Sequence, residues 1–322
     1  MDHKTATLIK QLKGLLSKPH HPLSPQEEGI IMQALENDRQ TGKVRKFYEK
    51  WPYHQDPPTE DLSSRLMQLE ADWQNWVTPV TLQAKRTMDA GCGCGFNLAL
   101  HARRASVAVG VDLSLSALKR ARDYCSENDL QENLFLIRGD LGELDLPDRS
   151  FDLITCVGVL HHIPDHLKVL RNLSRLLDHK GILLLGIYHP GGRYWHRLKR
   201  KLLLSWWTGS DQQRIKWARR LFPVKKEARK YQIPEDVYVR DSYAAPVEKA
   251  FSVDYLQNTL KQVGLTLQEV RPSPRRAFRK EVQDLARQLS EPGGRTFQLD
   301  SKRVDAELRR LKQHHYWCLA RK

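Results

Sequence analysis

The sequence predicts an α/β fold, a doubly wound parallel sheet with helices on both faces, and three observations carry that prediction. Short runs of apolar and β-branched residues recur at 86–91, 106–112, 135–140, 151–160 and 181–188. Segments with apolar residues at helical spacing lie between them. The run FDLITCVGVL (151–160) is near-continuously apolar, as a strand buried on both faces must be. Strands that alternate with helices of about 10–15 residues pair in parallel, because each helix carries the chain back across the sheet.

Residues 5–18 and 25–37 are expected as short amphipathic helices. The His-Pro-rich break 18–24 separates them, and Ser24-Pro25 signals the second start. A turn-rich stretch, 51–60, leads to a helix near 61–77. After the strand at 86–91 and the run SVAVGVD (106–112), Ser114 caps a helix that places Leu115, Leu118, Ala121, Arg122 and Cys125 on helical spacing. Asp165 caps another with Leu167, Leu170, Leu173, Leu176 and Leu177. Residues 252–264 and 265–271 repeat the helix–strand unit, and 315–322 is a final strand. The segments 190–250 and 272–314 are expected to be mostly helical additions. The domain plan is therefore an N-terminal helical extension (1–60), a sheet domain (61–190 with 251–322) and a helical lid or substrate insertion (191–250).

The 322 residues are 40% apolar and 28% charged, ordinary values for a soluble globular chain. No apolar run approaches the roughly 20 residues a membrane span needs, so no transmembrane segment is expected. The first residues lack the apolar core of a secretory signal, and the five cysteines follow neither a disulfide framework nor a zinc pattern. A cytoplasmic setting is expected. His20-His21 and His314-His315 have no third ligand at metal spacing, so no metal site is expected. The charge of +15 is uneven. Residues 190–322 hold 30 Lys/Arg against 14 Asp/Glu, a balance of +16, whereas 1–189 balance at −1. That half meets an anionic substrate, RNA or an acidic membrane surface, or is simply a solvated basic face.

Chemistry concentrates in the loops. Asp89-Ala90-Gly91-Cys92-Gly93-Cys94-Gly95 stands between a strand and a helix, and its glycines allow sharp turns and close approach of a ligand to the backbone. Phe96 occupies the position where a dinucleotide fingerprint needs its last glycine, and the lysine of a phosphate-binding loop is absent. A ligand without phosphates, with an adenosyl group and an amino-acid tail, fits better. Asp112 ends the next strand, where a carboxylate can accept hydrogen bonds from both ribose hydroxyls; the alternative is a helix cap, which Ser114 can itself supply. Asp140, after the third strand, can hold the adenine amine or serve as a turn residue.

Taken in order, D-A-G-C-G-C-G, V-D-L-S, G-D-L and F-D-L-I-T-C-V-G-V-L-H-H-I-P-D resemble the class I S-adenosylmethionine-dependent methyltransferases over about 86–188. The resemblance implies a Rossmann-like seven-stranded sheet with its last strand antiparallel, and S-adenosylmethionine as cofactor. It further implies that Asp89, Gly91, Cys92, Gly93 and Gly95 border the methionine part. Asp112 and Leu113 then hold the ribose, Asp140 and Leu141 border adenine, and Val157 with Gly158 lines the pocket. One departure is His179-Lys180-Gly181, where many relatives carry Pro-Gly.

Methyl transfer is an in-line displacement, so the protein supplies orientation, water exclusion and, for a protonated acceptor, a base. His161, His162, Tyr188 and His189 stand at carboxyl ends of strands and are the candidate catalytic residues; the alternative for His161-His162 is a structural turn. The N/D-P-P-Y/F element of adenine amino-methylating enzymes is absent, as is a Pro-Cys nucleophile. In RYWHRLKRKLLLSWWTG (193–209), Tyr194, Leu198, Leu202 and Trp206 share a helical face, with Arg197, Arg200 and Lys201 elsewhere. Such a helix packs as a lid, lies on a membrane surface or binds an anionic partner. Phe47, Tyr48, Trp51 and Tyr53 close the pocket from the other side or fill the core. The function expected is methylation of a small organic acceptor, anionic or amphipathic. RNA or protein methylation through the basic half is the alternative, and the intact glycine loop argues against a non-enzymatic relic.

Overall fold

A computed structural model describes residues 1–16, 29–33, 35, 38–53, 84–206, 210–231, 234–272, 301–310 and 315–322. Among them, eight strands form one sheet: β1 (Ile30–Met32), β2 (Arg86–Ala90), β3 (Val107–Asp112), β4 (Leu134–Arg138), β5 (Phe151–Val157), β6 (Leu177–Tyr188), β7 (Thr266–Pro272) and β8 (His315–Arg321). Their order is β1-β4-β3-β2-β5-β6-β8-β7. Strands β1 to β6 pair in parallel, and β8 runs antiparallel to both β6 and β7. The order reverses between β2 and β5, the kind of switch point where open sheets bind ligands.

The eighth strand is the difference from expectation. Residues 30–32 lie in a segment read as helix, yet Ile30 to Met32 pair with Leu136 to Arg138 of β4. Gly29, at φ +85°, turns the chain into the strand, and the open edge of β4 offers a ladder that a short apolar triplet fills. The helix forms later instead, as α2 (Arg39–Lys50), where the Asp38 carboxylate accepts hydrogen bonds from Gln40 N and Thr41 N. Helix α1 (His3–Leu16) matches its prediction. The helix expected near 61–77, His20-His21 and most of 272–314 lie outside the described residues.

Helices α3 (Phe96–Arg104), α4 (Leu115–Ser126) and α5 (His166–Leu176) cover the sheet. Both caps act as expected: Ser114 Oγ accepts from Ala117 N at 3.2 Å, and Asp165 Oδ1 accepts from Lys168 N at 2.9 Å. Strand residues with both faces covered, among them Met88, Val109, Ile137, Ile154 and Leu183, are fully buried. Below the sheet's amino ends, Arg86 binds Asp152 and Asp178, tying β2 to β5 and β6.

After β6 the chain leaves the sheet as α6 (Tyr194–Trp206), α7 (Asp211–Leu221), α8 (Val224–Tyr231), α9 (Glu235–Val239) and a π-helical turn, Arg240–Ala244. It returns through Phe251, whose N–H donates to Tyr188 O at 2.9 Å, into α10 (Val253–Gln262). Helix α11 (Ser301–Arg310) precedes β8. Leu203, Ala218, Val224, Ala228, Tyr238, Val239 and Tyr243 give the insertion its own small core. Helix α6 does not pack its apolar face inward as a lid would: Tyr194, Leu198 and Leu202 are exposed, while His196, Arg200 and Leu203 are buried. The side chain of Trp206 lies outside the described residues.

Candidate active site

A cavity of about 340 Å³ opens at the carboxyl ends of β2 to β6. Its first half is built by the β2–α3 loop. Gly91, Gly93 and Gly95 all have positive φ (+78°, +53° and +91°), but for different reasons. A Cβ on Gly91 would lie 2.4 Å from Val159 Cγ2, and one on Gly95 would lie 3.0 Å from Ala121 Cβ, so these two permit close packing. A Cβ on Gly93 would meet nothing within 4 Å, and Gly93 lines the cavity. Cys92 also lines it, while Gly95 does not.

Asp112 fastens this loop. Its Oδ2 accepts from Gly93 N at 2.9 Å, and its Oδ1 accepts from Ser114 N at 2.9 Å. Burial pushes its pKa upward, against the pull of those backbone donors. Leu113, Leu141, Val157 and Gly158 line the cavity as expected. Asp140 lines it too, and its Oδ1 closes a turn by accepting from Gly142 N at 2.8 Å. Asp89 is placed differently from its neighbours. It does not line the cavity; its Oδ1 accepts from the Thr155 hydroxyl at 2.8 Å, and its Oδ2 is buried without a partner among the described residues. Burial raises its pKa to about 7.

The second half of the cavity gathers side chains from four separate segments. Tyr188 ends β6, and His162 closes the 3₁₀ turn Leu160–His162 after β5. Asp241 comes from the π-helical turn and Tyr48 from α2. Asp241 accepts from Tyr48 Oη at 3.3 Å and from Tyr188 Oη at 3.2 Å, and its Oδ1 is 3.4 Å from His162 Nε2. Burial, with the Asp241 charge behind it, holds both phenols well above their usual pKa, so neither tyrosine is a ready base. His162 Nδ1 is 2.8 Å from Val247 O. A carbonyl only accepts, so Nδ1 carries a proton there, while Nε2 faces the Asp241 carboxylate.

The other two histidine candidates are elsewhere. His161 is 1% exposed, stacks on Tyr188 at 3.7 Å and leaves both ring nitrogens without partners among the described residues. Burial drives its pKa well below the usual value, so it stays neutral. His189 bonds Asp305 at 2.9 Å and accepts from Gly191 N at 3.2 Å, away from the cavity lining. Sequence reasoning missed Asp241, Phe96, Asn97, His315 and Trp317, all of which line the cavity. It did flag Tyr48 and Tyr53, which line it as well.

Helix α2 is pinned over the cofactor-facing loop. The Glu49 carboxylate accepts from Leu115 N (2.8 Å) and Ser116 N (3.2 Å), capping α4 from outside. Tyr48 O accepts from Ser114 Oγ at 3.2 Å, and Tyr53 O accepts from Cys94 Sγ at 3.2 Å. On its other side, Phe47 packs with Ala244 and Ala245 of the insertion.

Residues 88–185 match the family described as a methyltransferase domain. Ubiquinone biosynthesis O-methyltransferase of Coxiella burnetii is 31% identical over 104 residues, which is 32% of this chain and 44% of that protein. The 27-O-demethylrifamycin SV methyltransferase of Amycolatopsis mediterranei is 35% identical over 102 residues, 31% of this chain and 38% of that protein. The chain therefore spans less than half the length of these curated relatives. PKMT2 from Rickettsia typhi, solved in complex with AdoHcy, superimposes with a TM-score of 0.52 at 17% identity, covering 82% of this chain and 54% of that one, a likeness of fold. Glycine loop, sheet order and family match agree over the same stretch, so residues 88–185 are similar to a methyltransferase domain.

Proposed function

We propose that the chain methylates a small organic acceptor at a hydroxyl group, with S-adenosylmethionine as donor. The observation that carries this reading is the buried pair His162–Asp241 on the cavity lining, with His162 Nδ1 held by the Val247 carbonyl. The fit to the cofactor rests on the bare backbone at Gly93, whose missing side chain leaves open cavity, and on the Asp112 carboxylate beside it. Bound there, S-adenosylmethionine supplies an electrophilic methyl group on a positively charged sulfur.

The chain's own residues do the rest. Asp112, already oriented by Gly93 N and Ser114 N, presents its remaining lone pairs to the ribose, while Leu113, Leu141 and Val157 give apolar walls to the adenosyl group. Tyr48, Tyr53 and Trp317 narrow the acceptor end and exclude water. His162 would take the acceptor's hydroxyl proton through Nε2, and the bound cofactor would supply the methyl group to that oxygen and keep the leaving electron pair on its sulfur. Asp241 stabilises the resulting imidazolium, itself held by the two tyrosine hydroxyls. Among the described residues no Lys or Arg lines the cavity, so a neutral reacting end suits it better than an anionic one. The two curated relatives, named for O-methylation in ubiquinone biosynthesis and for a rifamycin, support a small-molecule acceptor.

We divide the chain accordingly: the sheet domain (61–190 with 251–322) holds the cofactor, the insertion (191–250) brings Asp241, and the N-terminal segment (1–60) brings Tyr48. A cytoplasmic site of action remains part of this reading; no helix of the described residues is long and apolar enough to cross a membrane. The +16 balance of residues 190–322 supports a second reading, methylation of RNA or protein. Incubation with labelled S-adenosylmethionine and cell extract split into small-molecule, RNA and protein fractions decides between them. Label is expected in the small-molecule fraction, and label confined to RNA or protein overturns the choice.

A further inference from the structure

We propose that helix α6 docks the chain on an anionic lipid surface. The helix is built with its polarity reversed. Its inner face, with Arg193 just before it, carries Arg193, His196 and Arg200, and every one is satisfied internally. Arg193 pairs with Glu248 at 2.8 Å, His196 Nε2 lies 3.1 Å from Ser242 O, and Arg200 donates to the carbonyls of Ser242 (2.9 Å) and Ala245. The outer face carries Tyr194, Leu198 and Leu202 at four-residue spacing, 61%, 39% and 48% exposed, with Trp195 beside them at 70%. A water-facing helix ordinarily shows the opposite pattern, so a contiguous apolar stripe turned outward marks a contact surface.

Charge identifies the occupant. At about 100° per residue, the four apolar side chains cover roughly a third of the helix circumference, and the exposed Arg197 and Lys201 border that stripe on one side. Lys199 pairs with Glu227 of α8 at 2.8 Å, and α8 exposes Lys225, Lys226 and Arg229. Residues 191–250 together hold 15 Lys/Arg and 6 Asp/Glu, a balance of +9. A second copy of the chain would bring this positive field against itself. RNA would answer the cations but leave Leu198 and Leu202 in water. A bilayer with acidic headgroups answers both: leucines enter the acyl boundary, the Tyr194–Trp195 pair sits at headgroup level, and the cations reach the lipid phosphates. This inference stands apart from the identity of the methyl acceptor.

The test is vesicle co-sedimentation of the full chain at physiological ionic strength, using phosphatidylcholine alone and phosphatidylcholine mixed equally with phosphatidylglycerol. Binding is expected on the mixed vesicles and at least about tenfold weaker on the neutral ones. The exposed-face variant Trp195→Ser/Leu198→Gln/Leu202→Gln should lose roughly tenfold or more, with circular dichroism and cofactor affinity unchanged. Arg197→Glu/Lys201→Glu should lose binding to the acidic vesicles in the same way. Equal sedimentation of parent and triple variant, or no vesicle binding by the parent, overturns the proposal. So does binding of a single-stranded RNA without vesicle binding, or a dimer that dissociates in the triple variant.

Discussion

Replacing Gly93 with alanine separates the folding role of the glycine loop from its ligand role. The new Cβ would have no protein atom within 4 Å, so the fold feels only the positive φ of +53°, a left-handed conformation that costs an L-residue about 1–2 kcal/mol. The cavity side feels more. A methyl group placed where the cofactor must lie against the backbone acts as overpacking, worth about 1–3 kcal/mol, or roughly 5- to 150-fold in affinity. Gly93→Val, with two further methyls in the same space, should abolish binding. Gly91→Ala is the counterpart: its Cβ would collide with the stiff Val159 side chain at 2.4 Å, so it should damage the fold. Calorimetric titration with S-adenosylmethionine, beside urea unfolding of each variant, reads the two effects separately. If Gly93→Ala binds the cofactor as tightly as the parent, the bare backbone is not the cradle and the assignment of this half of the cavity fails.

Other substitutions test the remaining parts. Asp112→Ala should weaken S-adenosylmethionine by about 1–3 kcal/mol in calorimetry, because a charged acceptor is stripped from the ribose position; undiminished affinity would leave Asp112 only its loop-fastening role. Asp89, raised from 3.8 to about 7 by burial, keeps a proton in the native state that the unfolded chain releases. The unliganded protein should therefore be fully favoured by this group below about pH 4, lose stability as pH climbs toward 7, and level off above, by a few kcal/mol in all. Asp89→Asn should flatten that slope in urea unfolding at about pH 5 and about pH 8. His161→Phe removes two unpartnered buried nitrogens and should hold or raise stability while sparing methyl transfer. Against it, His162→Ala should lower kcat by about 10²–10⁴-fold with cofactor affinity intact, and Asp241→Asn should fall in the same direction. Equal losses at His161 and His162 would refute the choice of base.

The cofactor half of this site was legible because its determinants are local. A glycine cluster after an apolar run, and carboxylates at strand ends, sit within about 50 residues and need only the strand–loop–helix rhythm to be placed. Strand β1 was not legible, since Ile30–Met32 is too short to show a period and becomes a strand through the distant edge of β4. Asp241 carried no signal at all. It sits in an Arg-Asp-Ser-Tyr turn of an insertion, and only packing brings it to Tyr48 and His162, 193 and 79 residues away in sequence. Which face of α6 packs inward was left open for a related reason. Amphipathic patterning assumes polar side chains seek water, whereas Glu248 and the carbonyls of the π-helical turn draw Arg193, His196 and Arg200 inward.

One short helix joins the two compartments of the cavity. Because α2 grips the loop at 114–116 through Glu49 and meets Asp241 through Tyr48, neither ligand can leave by displacing it without loosening the seat of the other. Motion at one end of the cavity is thereby passed to the other through a shared element. Hydrogen exchange should show the amides of 39–50 and 240–244 opening together, and independent opening would dissolve the link.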